Sequence, residues 1–195
     1  MKKRYLLLGL SLIFILGGLY FTTTNAYKLL KGYYLYKSGK VEIQEVQKAD
    51  MPKRTKLYEK RPEMGEEIGT LTIPTLNVTL PIFHGTDEDE LERGIGHYKN
   101  SVLPGEKDNS VLSGHRDTVF RRLGEVKIGD ELIVTTSAGT FTYKVRKIRI
   151  VDADNKTVIV PKPRATLTVT TCYPFSFIGD APDRYILVAN LVEDR

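Results

Sequence analysis

Cysteine is almost absent from this chain. The 195 residues include one cysteine, Cys172, together with three histidines and no tryptophan. A single cysteine has no intrachain partner, so a disulfide framework is excluded. If the body of the chain is exported, a lone thiol in an oxidising compartment is either an inert buried residue or a working nucleophile. Internal repeats and low-complexity tracts are also missing, and the length leaves room for one domain plus an appendage.

The sequence has only one long hydrophobic run, and it lies at the N-terminus. Residues 5–21 carry no charge and follow the basic residues 2–4. Such a run spans roughly 25 Å as a helix, and the flanking residues to Ala26 extend it toward a bilayer crossing. We predict an uncleaved membrane anchor at residues 1–26, with its basic end inside the cell and the body outside. A signal peptide cleaved after residues 24–26 and a buried core helix stay open as alternatives.

The charge is divided unevenly along the chain. Residues 1–66 carry 13 Lys and Arg against 6 Asp and Glu, whereas residues 67–195 carry 16 against 18. The positive charge therefore belongs to the anchor and to a polar stalk, which we assign to residues 27–66, near anionic headgroups or cell-wall polymers. The slightly acidic remainder gives little support for nucleic-acid binding.

Residues 67–195 have the pattern of a single β domain. The runs 131–137 and 141–151 predict a hairpin, and a shift of apolar phase after Val145 predicts a bulge in its second strand. Only residues 87–93 and 118–123 look helical. Many short strands separated by turn residues favour a sandwich or a barrel. Further strands are predicted at residues 76–82, 110–113, 158–160, 165–172 and 184–192.

Three residues are candidates for chemistry. Cys172 and His115 each lie where a strand-like run meets a loop, and a histidine is the usual partner that activates a thiol. Antiparallel pairing of the last two strands would place Arg184 beside Cys172, where a guanidinium can hold a developing oxyanion. The alternatives are an inert thiol, a structural histidine, and a surface arginine paired with Asp180 or Asp183.

The other two histidines are weaker candidates. His84 lies in a turn after a strand-like run, and His97 lies in a glycine-rich stretch, residues 94–98, that predicts a loop. A histidine taken without context is more often structural than catalytic. We therefore prefer His115 as the acid or base.

Three motifs in sequence order resemble the sortases, and the set looks most like class D. They are LSGHRD around His115, TTCYPF around Cys172 and GDAPDRYI around Arg184. The stretches GIGHY at 94–98 and TVFRRLG at 118–124 look like the same class. The resemblance covers residues from about 69 to 192, nearly the whole β domain.

This resemblance implies a fold and an activity. The fold would be mainly β, a sortase-type β-barrel of about eight strands with short helices, preceded by a transmembrane helix. The enzyme would be a cysteine transpeptidase of a Gram-positive cell, a hydrolase or thiol protease in its first step. It would cleave an LPxTG-like sorting signal of secreted proteins through a thioacyl intermediate and join them to a cell-wall amine, such as that of the lipid II stem peptide. The N-terminus would be cytoplasmic and the catalytic domain extracellular.

Residue roles follow from the same resemblance. Cys172 would be the nucleophile, His115 the acid and base, and Arg184 the group that binds the substrate backbone or the oxyanion. The loop 152–164, Thr171 and Tyr173 would contact the sorting signal.

The resemblance implies no cofactor, although some sortases use calcium. The acidic run 87–90 lacks the ligand spacing of a recognised calcium loop. It is more typical of the first turn of a short helix, where acidic side chains are favoured by the helix dipole. We therefore expect no metal site in this run.

Two other functions remain as alternatives. An L,D-transpeptidase carries its cysteine directly after a Ser-His-Gly element, whereas His115 and Cys172 are far apart in sequence. A membrane-tethered binding domain would keep Cys172 only as core packing. Pilus assembly is not expected, because residues 41–68 show no aromatic-rich lid and no second apolar run follows Val192.

Overall fold

Strand pairing runs once around the molecule and returns to its starting point. The structure is a computed structural model that describes residues 14–27, 30–31, 56–176 and 181–194. Within these ranges the strands pair in the order β1-β2-β3-β4-β7-β8-β6-β5, and β5 pairs back with β1. Of the two architectures expected, the closed barrel is therefore correct. The strands are β1 Glu67–Ile73, β2 Val78–His84, β3 Ile95–His97, β4 Asn109–Ser113, β5 Glu131–Thr136, β6 Gly139–Asp152, β7 Thr166–Tyr173 and β8 Asp183–Asp194.

Alternation along the strands fills the inside of the barrel. In β7, Leu167 and Val169 are fully buried and point into the core, while the threonines between them point to the other face. The core also holds large side chains such as Tyr143 and Phe120, which are fully buried. Because the interior is packed with side chains, a binding site has to lie on the outer surface of the barrel.

The predicted hairpin and its bulge are confirmed. β5 and β6 pair antiparallel, with Thr136 opposite Gly139 at the turn. The pairing of β6 with β8 changes register between Val145 and Lys147, which is where the apolar pattern shifts phase. β6 pairs with β5 on one side and with β8 on the other, and the shift in register inserts an extra residue on the β8 side.

One predicted helix is correct and the other is not. A helix, α1, spans Glu88–Arg93 and is started by a capping box between Asp87 and Glu90. Residues 118–123 form turns instead, followed by a 3-10 turn at Leu123–Glu125. Val119 and Phe120 are buried there, so their apolar character reflects packing of a loop and not a helix face.

Two further sequence expectations are wrong. Residues 94–98, predicted as a loop, contain β3, which pairs parallel with β2 and antiparallel with β4. Residues 158–160, predicted as a strand, have no strand partner. The Asn109 side-chain amide instead donates to the carbonyls of Val158 (3.3 Å) and Val160 (3.1 Å), and so holds this segment as an irregular loop.

The strand predicted at residues 76–82 is displaced. A 3-10 turn at Pro74–Leu76 precedes it, and β2 starts at Val78. The αL conformation of Asn77, with φ of 53°, ends the turn and redirects the chain into β2. The apolar alternation therefore starts at Leu76, in the 3-10 turn, two residues before the strand itself.

The N-terminal part is described only in pieces. Residues 14–27 are helical and expose apolar side chains, including Phe14 and Leu19. No helix in the described ranges is both long and apolar enough to cross a membrane, and the first half of the predicted anchor, residues 1–13, lies outside those ranges. The division into anchor, stalk and catalytic domain stays a prediction.

Residues 56–66, the end of the predicted stalk, lie against the barrel. The Tyr58 hydroxyl bonds to the Pro104 carbonyl at 2.6 Å and lies 3.1 Å from the Thr136 hydroxyl. Burial raises the pKa of Tyr58 to about 12. Arg61 makes a two-pronged ion pair with Glu106 at 2.8 and 2.9 Å. The segment that leads into β1 is therefore bonded to the loop before β4.

Candidate active site

Strand register brings Cys172, His115 and Arg184 to one edge of the barrel. Strands β4 and β7 are parallel neighbours whose last pair is Ser113 with Thr170. His115 and Cys172 each lie two residues beyond that pair, so they extend the same register. In the antiparallel pair of β7 with β8, Cys172 lies directly opposite Arg184. The strand pairing predicted for these two residues is confirmed.

The three side chains line a single groove of about 330 Å³ on the outer face of the barrel. The floor includes Thr170 and Ile186, which share a face with Cys172 because side chains alternate along a strand. Leu91 of α1 forms one side, and Val158 and Ile159, from the loop between β6 and β7, line another. Val158 and Ile159 lie within the loop 152–164 that the sequence predicted as a substrate contact, whereas Leu91 was not predicted, because only the fold brings α1 next to this loop.

The segment after Cys172 rests on an aromatic cluster. The rings of Tyr173, Phe175 and Tyr185 lie with their centroids 5.1 to 6.1 Å apart. Phe175 also packs against Gly124, where an added Cβ would come within 2.7 Å of the ring. Burial raises the pKa of Tyr185. The Tyr173 side chain therefore belongs to this aromatic cluster, and its contact with substrate stays a prediction.

His115 lies in a tight turn after β4. Its carbonyl accepts a hydrogen bond from the Phe120 N–H at 3.1 Å. Its Nε2 atom is 3.7 Å from Oε2 of Glu88, and the His115 side chain is 38% exposed. Because Glu88 is 67% exposed, solvent weakens this contact. The backbone of His115 is thus fixed by the turn, and its imidazole lines the groove and stays partly exposed.

Arg184 is fixed by backbone acceptors. Its Nη1 donates to the carbonyls of Ala181 and Asp183, each at 3.0 Å. Both acceptors are neutral, so these bonds orient the guanidinium without cancelling its charge. Asp180, one of the alternative partners, lies outside the described residues. A cation held next to Cys172 can stabilise negative charge that develops on a carbonyl oxygen.

Thr171 connects the histidine loop to the cysteine strand. It is 2% exposed, and its hydroxyl donates to the Gly114 carbonyl at 2.7 Å. Thr171 is part of the groove wall, but its side chain is committed to this bond. Its direct contact with substrate stays a prediction.

His84 and His97 lie away from the groove and stack on each other. Their ring centroids are 5.2 Å apart and their Nδ1 atoms 3.0 Å apart. His97 is fully buried, and its Nε2 bonds to the Val102 carbonyl at 2.9 Å. Since a carbonyl only accepts, His97 carries its proton on Nε2 and accepts at Nδ1 from His84. Burial lowers the pKa of His97 to about 4 and also lowers that of His84.

The acidic run 87–90 forms the N-cap and first turn of α1. The Asp87 N–H donates to Oε2 of Glu90 at 2.9 Å, and Glu90 is buried. Across the ranges that the structure describes, no three His, Cys, Asp or Glu side chains are placed to share a metal ion. The absence of a metal cofactor stays a prediction.

Comparisons with known proteins agree with these motifs. Residues 71–192 match the Sortase domain family. Sortase D of Bacillus subtilis (strain 168) is 42% identical over 193 residues, which cover 94% of this chain and 98% of that protein. Sortase SrtE1 of Streptomyces coelicolor is 32% identical over 152 residues, covering 68% of this chain and 42% of that protein.

Solved structures share the fold. A Sortase D5 transpeptidase from Clostridium perfringens superposes with a TM-score of 0.62 at 30% identity, covering 68% of this chain and 83% of that one. Sortase A from Corynebacterium diphtheriae gives a TM-score of 0.61 at 33% identity, covering 68% and 63%. The chain therefore belongs to the sortase family of transpeptidases, with a class D sortase among its relatives.

Proposed function

We propose that this chain is a membrane-anchored cysteine transpeptidase that cleaves an LPxTG-like sorting signal and joins the secreted protein to a cell-wall amine. One observation carries the proposal: Cys172, His115 and Arg184 line the same groove on the outer face of the barrel. A nucleophile, a proton-transfer group and a fixed cation within one groove are the groups that acyl transfer requires. The 42% identity to Sortase D also supports it.

The first half-reaction cleaves the sorting signal. With the thiol proton held on His115, the Cys172 sulfur attacks the carbonyl carbon of the signal's threonine, and Arg184 stabilises the negative charge on the carbonyl oxygen. The C–N bond then breaks as His115 donates a proton to the leaving amine. The products are a thioester between Cys172 and the secreted protein, and the released C-terminal fragment.

The second half-reaction restores the enzyme. An amine of the cell-wall precursor enters the groove, and His115 takes its proton as the nitrogen attacks the thioester carbonyl. The C–S bond breaks and Cys172 leaves as a thiolate, while the proton taken from the amine stays on His115, which restores the starting state. Neither half-reaction requires an oxidant or a cofactor, because the amide bond formed replaces the amide bond broken.

The walls of the groove suit an apolar peptide. Val158, Ile159 and Leu91 offer apolar surface beside the nucleophile, and Asp152 and Asn155 add polar groups at the same wall. Leucine and proline of an LPxTG-like signal match the apolar part. The loop 152–164 is thus our proposed contact for the signal.

Mass analysis tests the chemistry. The full-length chain in detergent is mixed with LPxTG-like peptides, and intact mass is recorded for it and for Cys172→Ala. We expect a mass increase equal to the N-terminal peptide fragment in the unmodified chain and none in the variant. Cys172→Ala should unfold at the same temperature, which controls for the fold. A peptide panel that gives neither adduct nor cleavage contradicts the proposal.

The location outside the membrane has its own test. The helical residues 14–27 expose apolar side chains, which supports an anchor that continues from the uncharged run 5–21. Because Cys172 is the only cysteine, a membrane-impermeant maleimide reports its side of the membrane directly. Labelling of intact cells at the level seen after lysis is expected. Labelling only after lysis would place the domain inside.

A further inference from the structure

Arg116 is a buried arginine that the proposed reaction does not use. It follows directly after His115, yet its side chain is only 4% exposed. Arginine is rarely buried unless its charge is paired and its N–H groups are bonded. The burial of this residue beside His115 therefore indicates a specific role.

The bonds of Arg116 point in two directions. Its Nε and Nη2 donate to the two carboxylate oxygens of Asp117, at 3.1 and 3.2 Å. Its Nη1 donates to the Pro174 carbonyl at 3.0 Å. The Asp117 side chain is 57% exposed, so its carboxylate stays hydrated, whereas the Arg116 guanidinium is buried. The two-pronged pair fixes the plane of the guanidinium and thereby aims Nη1 at Pro174.

Two cross-links bracket the catalytic pair. On one side, the Thr171 hydroxyl donates to the Gly114 carbonyl at 2.7 Å. On the other side, Arg116 donates to Pro174. Residues 114 and 116 flank His115, and residues 171 and 174 flank Cys172. The strand ladder between β4 and β7 ends at Ser113 and Thr170, so these side-chain bonds continue the connection where the ladder stops.

We propose that Arg116 is a positioning residue that holds the His115 loop against the Cys172 strand end, so that the imidazole is within reach of the substrate amine whose proton it transfers. The inference rests on the proposed function. Proton transfer needs heavy atoms within roughly 2.6–3.2 Å, and a displacement of about 1 Å can lower a rate by about 100-fold. Arg116 acts through the backbone of both loops and does not itself contact the reacting atoms.

The test separates proton transfer from binding and from folding. Full-length chains carrying Arg116→Met, Arg116→Lys or the control Arg121→Met are compared; Arg121 lies in the same loop and is exposed. For each we measure kcat and KM for peptide cleavage. We also measure alkylation of Cys172 by iodoacetamide at high pH, where a thiol ionises without a base.

Arg116→Met should lower kcat at least 30-fold while KM and the alkylation rate stay within about twofold. Arg116→Lys should recover part of kcat, because an ammonium can still donate to the Pro174 carbonyl. Arg121→Met should match the unmodified chain. Unchanged kcat in Arg116→Met, or equal loss in kcat, binding and alkylation, overturns the inference.

A second variant covers the case in which Arg116→Met does not fold. Asp117→Asn changes an exposed side chain and loosens the two-pronged pair, so kcat should fall about threefold to tenfold with KM unchanged. An unaltered kcat in Asp117→Asn then overturns the inference. If the unmodified chain itself forms no peptide adduct, the proposed function fails instead, so the two failures are distinguishable.

Discussion

Cys172 and Arg184 are direct partners across the antiparallel pair of β7 with β8. Directly opposed residues in such a pair project to the same face of the sheet, with Cβ atoms about 5 Å apart. Both side chains therefore project from the same face of the sheet, and both line the same groove. Two bonds to the backbone carbonyls of Ala181 and Asp183 orient the Arg184 guanidinium and leave its positive charge in place.

Replacing Arg184 should slow the chemistry more than it weakens binding. We expect Arg184→Ala to lower kcat about 100-fold to 1,000-fold, the loss typical of removing one oxyanion-stabilising donor. Arg184→Lys should fall in between, because an ammonium keeps the charge but not the planar geometry. Steady-state kinetics on the full-length chain measure this, with Arg146→Ala, at an exposed position on β6, as the control. A loss of less than threefold would remove Arg184 from the site.

Asn109 should control the wall of the groove. Its amide donates to the carbonyls of Val158 and Val160, and its carbonyl accepts from the Thr168 hydroxyl at 2.7 Å. Asn109→Asp would set a carboxylate against two carbonyl oxygens and release the loop. We expect the KM for the sorting-signal peptide to rise at least tenfold and kcat to change less. Proteolysis within residues 153–165 should become faster.

The matched control for this change is Asn100→Asp, at an exposed position. It makes the same chemical substitution away from the groove and should leave KM within about twofold. If Asn109→Asp lowers kcat and leaves KM unchanged, the loop is not the peptide-binding wall.

His97 should make the fold sensitive to acid. Its pKa in the folded chain is about 4 because it is buried, whereas an exposed histidine has a pKa near 6.5. Between these values the unfolded chain binds more protons, so stability is kept above about pH 6.5 and lost as the pH falls toward 4. The loss from His97 alone is about 3 kcal/mol. Thermal unfolding between pH 4 and pH 7.5 measures it.

His97→Gln provides the comparison. Its amide can still donate to the Val102 carbonyl, but it does not titrate. Its unfolding temperature should be lower at pH 7.5 and should depend less on pH between 4 and 6.5. Parallel pH curves for the two proteins would show that another group causes the acid sensitivity.

Gly114 should tolerate no side chain. A Cβ there would lie 2.7 Å from ring carbons of Phe120, which is fully buried. Gly114→Ala must therefore push Phe120 or the His115 loop aside, and overpacking of this kind costs about 1–3 kcal/mol. Denaturant unfolding should show this loss. The double variant with Phe120→Leu should lose less than the sum of the single losses, because the two changes share one contact. Additive losses would contradict the packing argument.

The sequence predicts the parts of this site that depend on local pattern. A cysteine at the end of one strand-like run and an arginine at the start of the next indicated that an antiparallel pair would bring them together, and the structure contains that pair. The phase shift after Val145 predicted the bulge in β6 for the same reason, since side-chain alternation is a local property.

Other parts depend on distant partners and were missed or misread. β3 has only three residues, with Gly94 before it and Gly96 at its centre, and it forms because β2 and β4 are on either side of it. The apolar run 158–160 has the composition of a strand, yet Asn109 satisfies its carbonyls instead. The role proposed for Arg116 could not be predicted from the sequence either, because its acceptor, Pro174, is distant in sequence and adjacent only in the folded chain.

The parallel pairing of β4 with β7 has a consequence for how such an enzyme can change. His115 and Cys172 are held by strand ends and by bonds at Gly114 and Arg116. The groove wall beside them is a loop, residues 153–165, which Asn109 holds through two hydrogen bonds. Under the proposed function, the reaction and the choice of substrate therefore depend on separate parts of the fold. Exchange of this one surface loop would then change the sorting signal that is bound and leave the reacting residues unaltered.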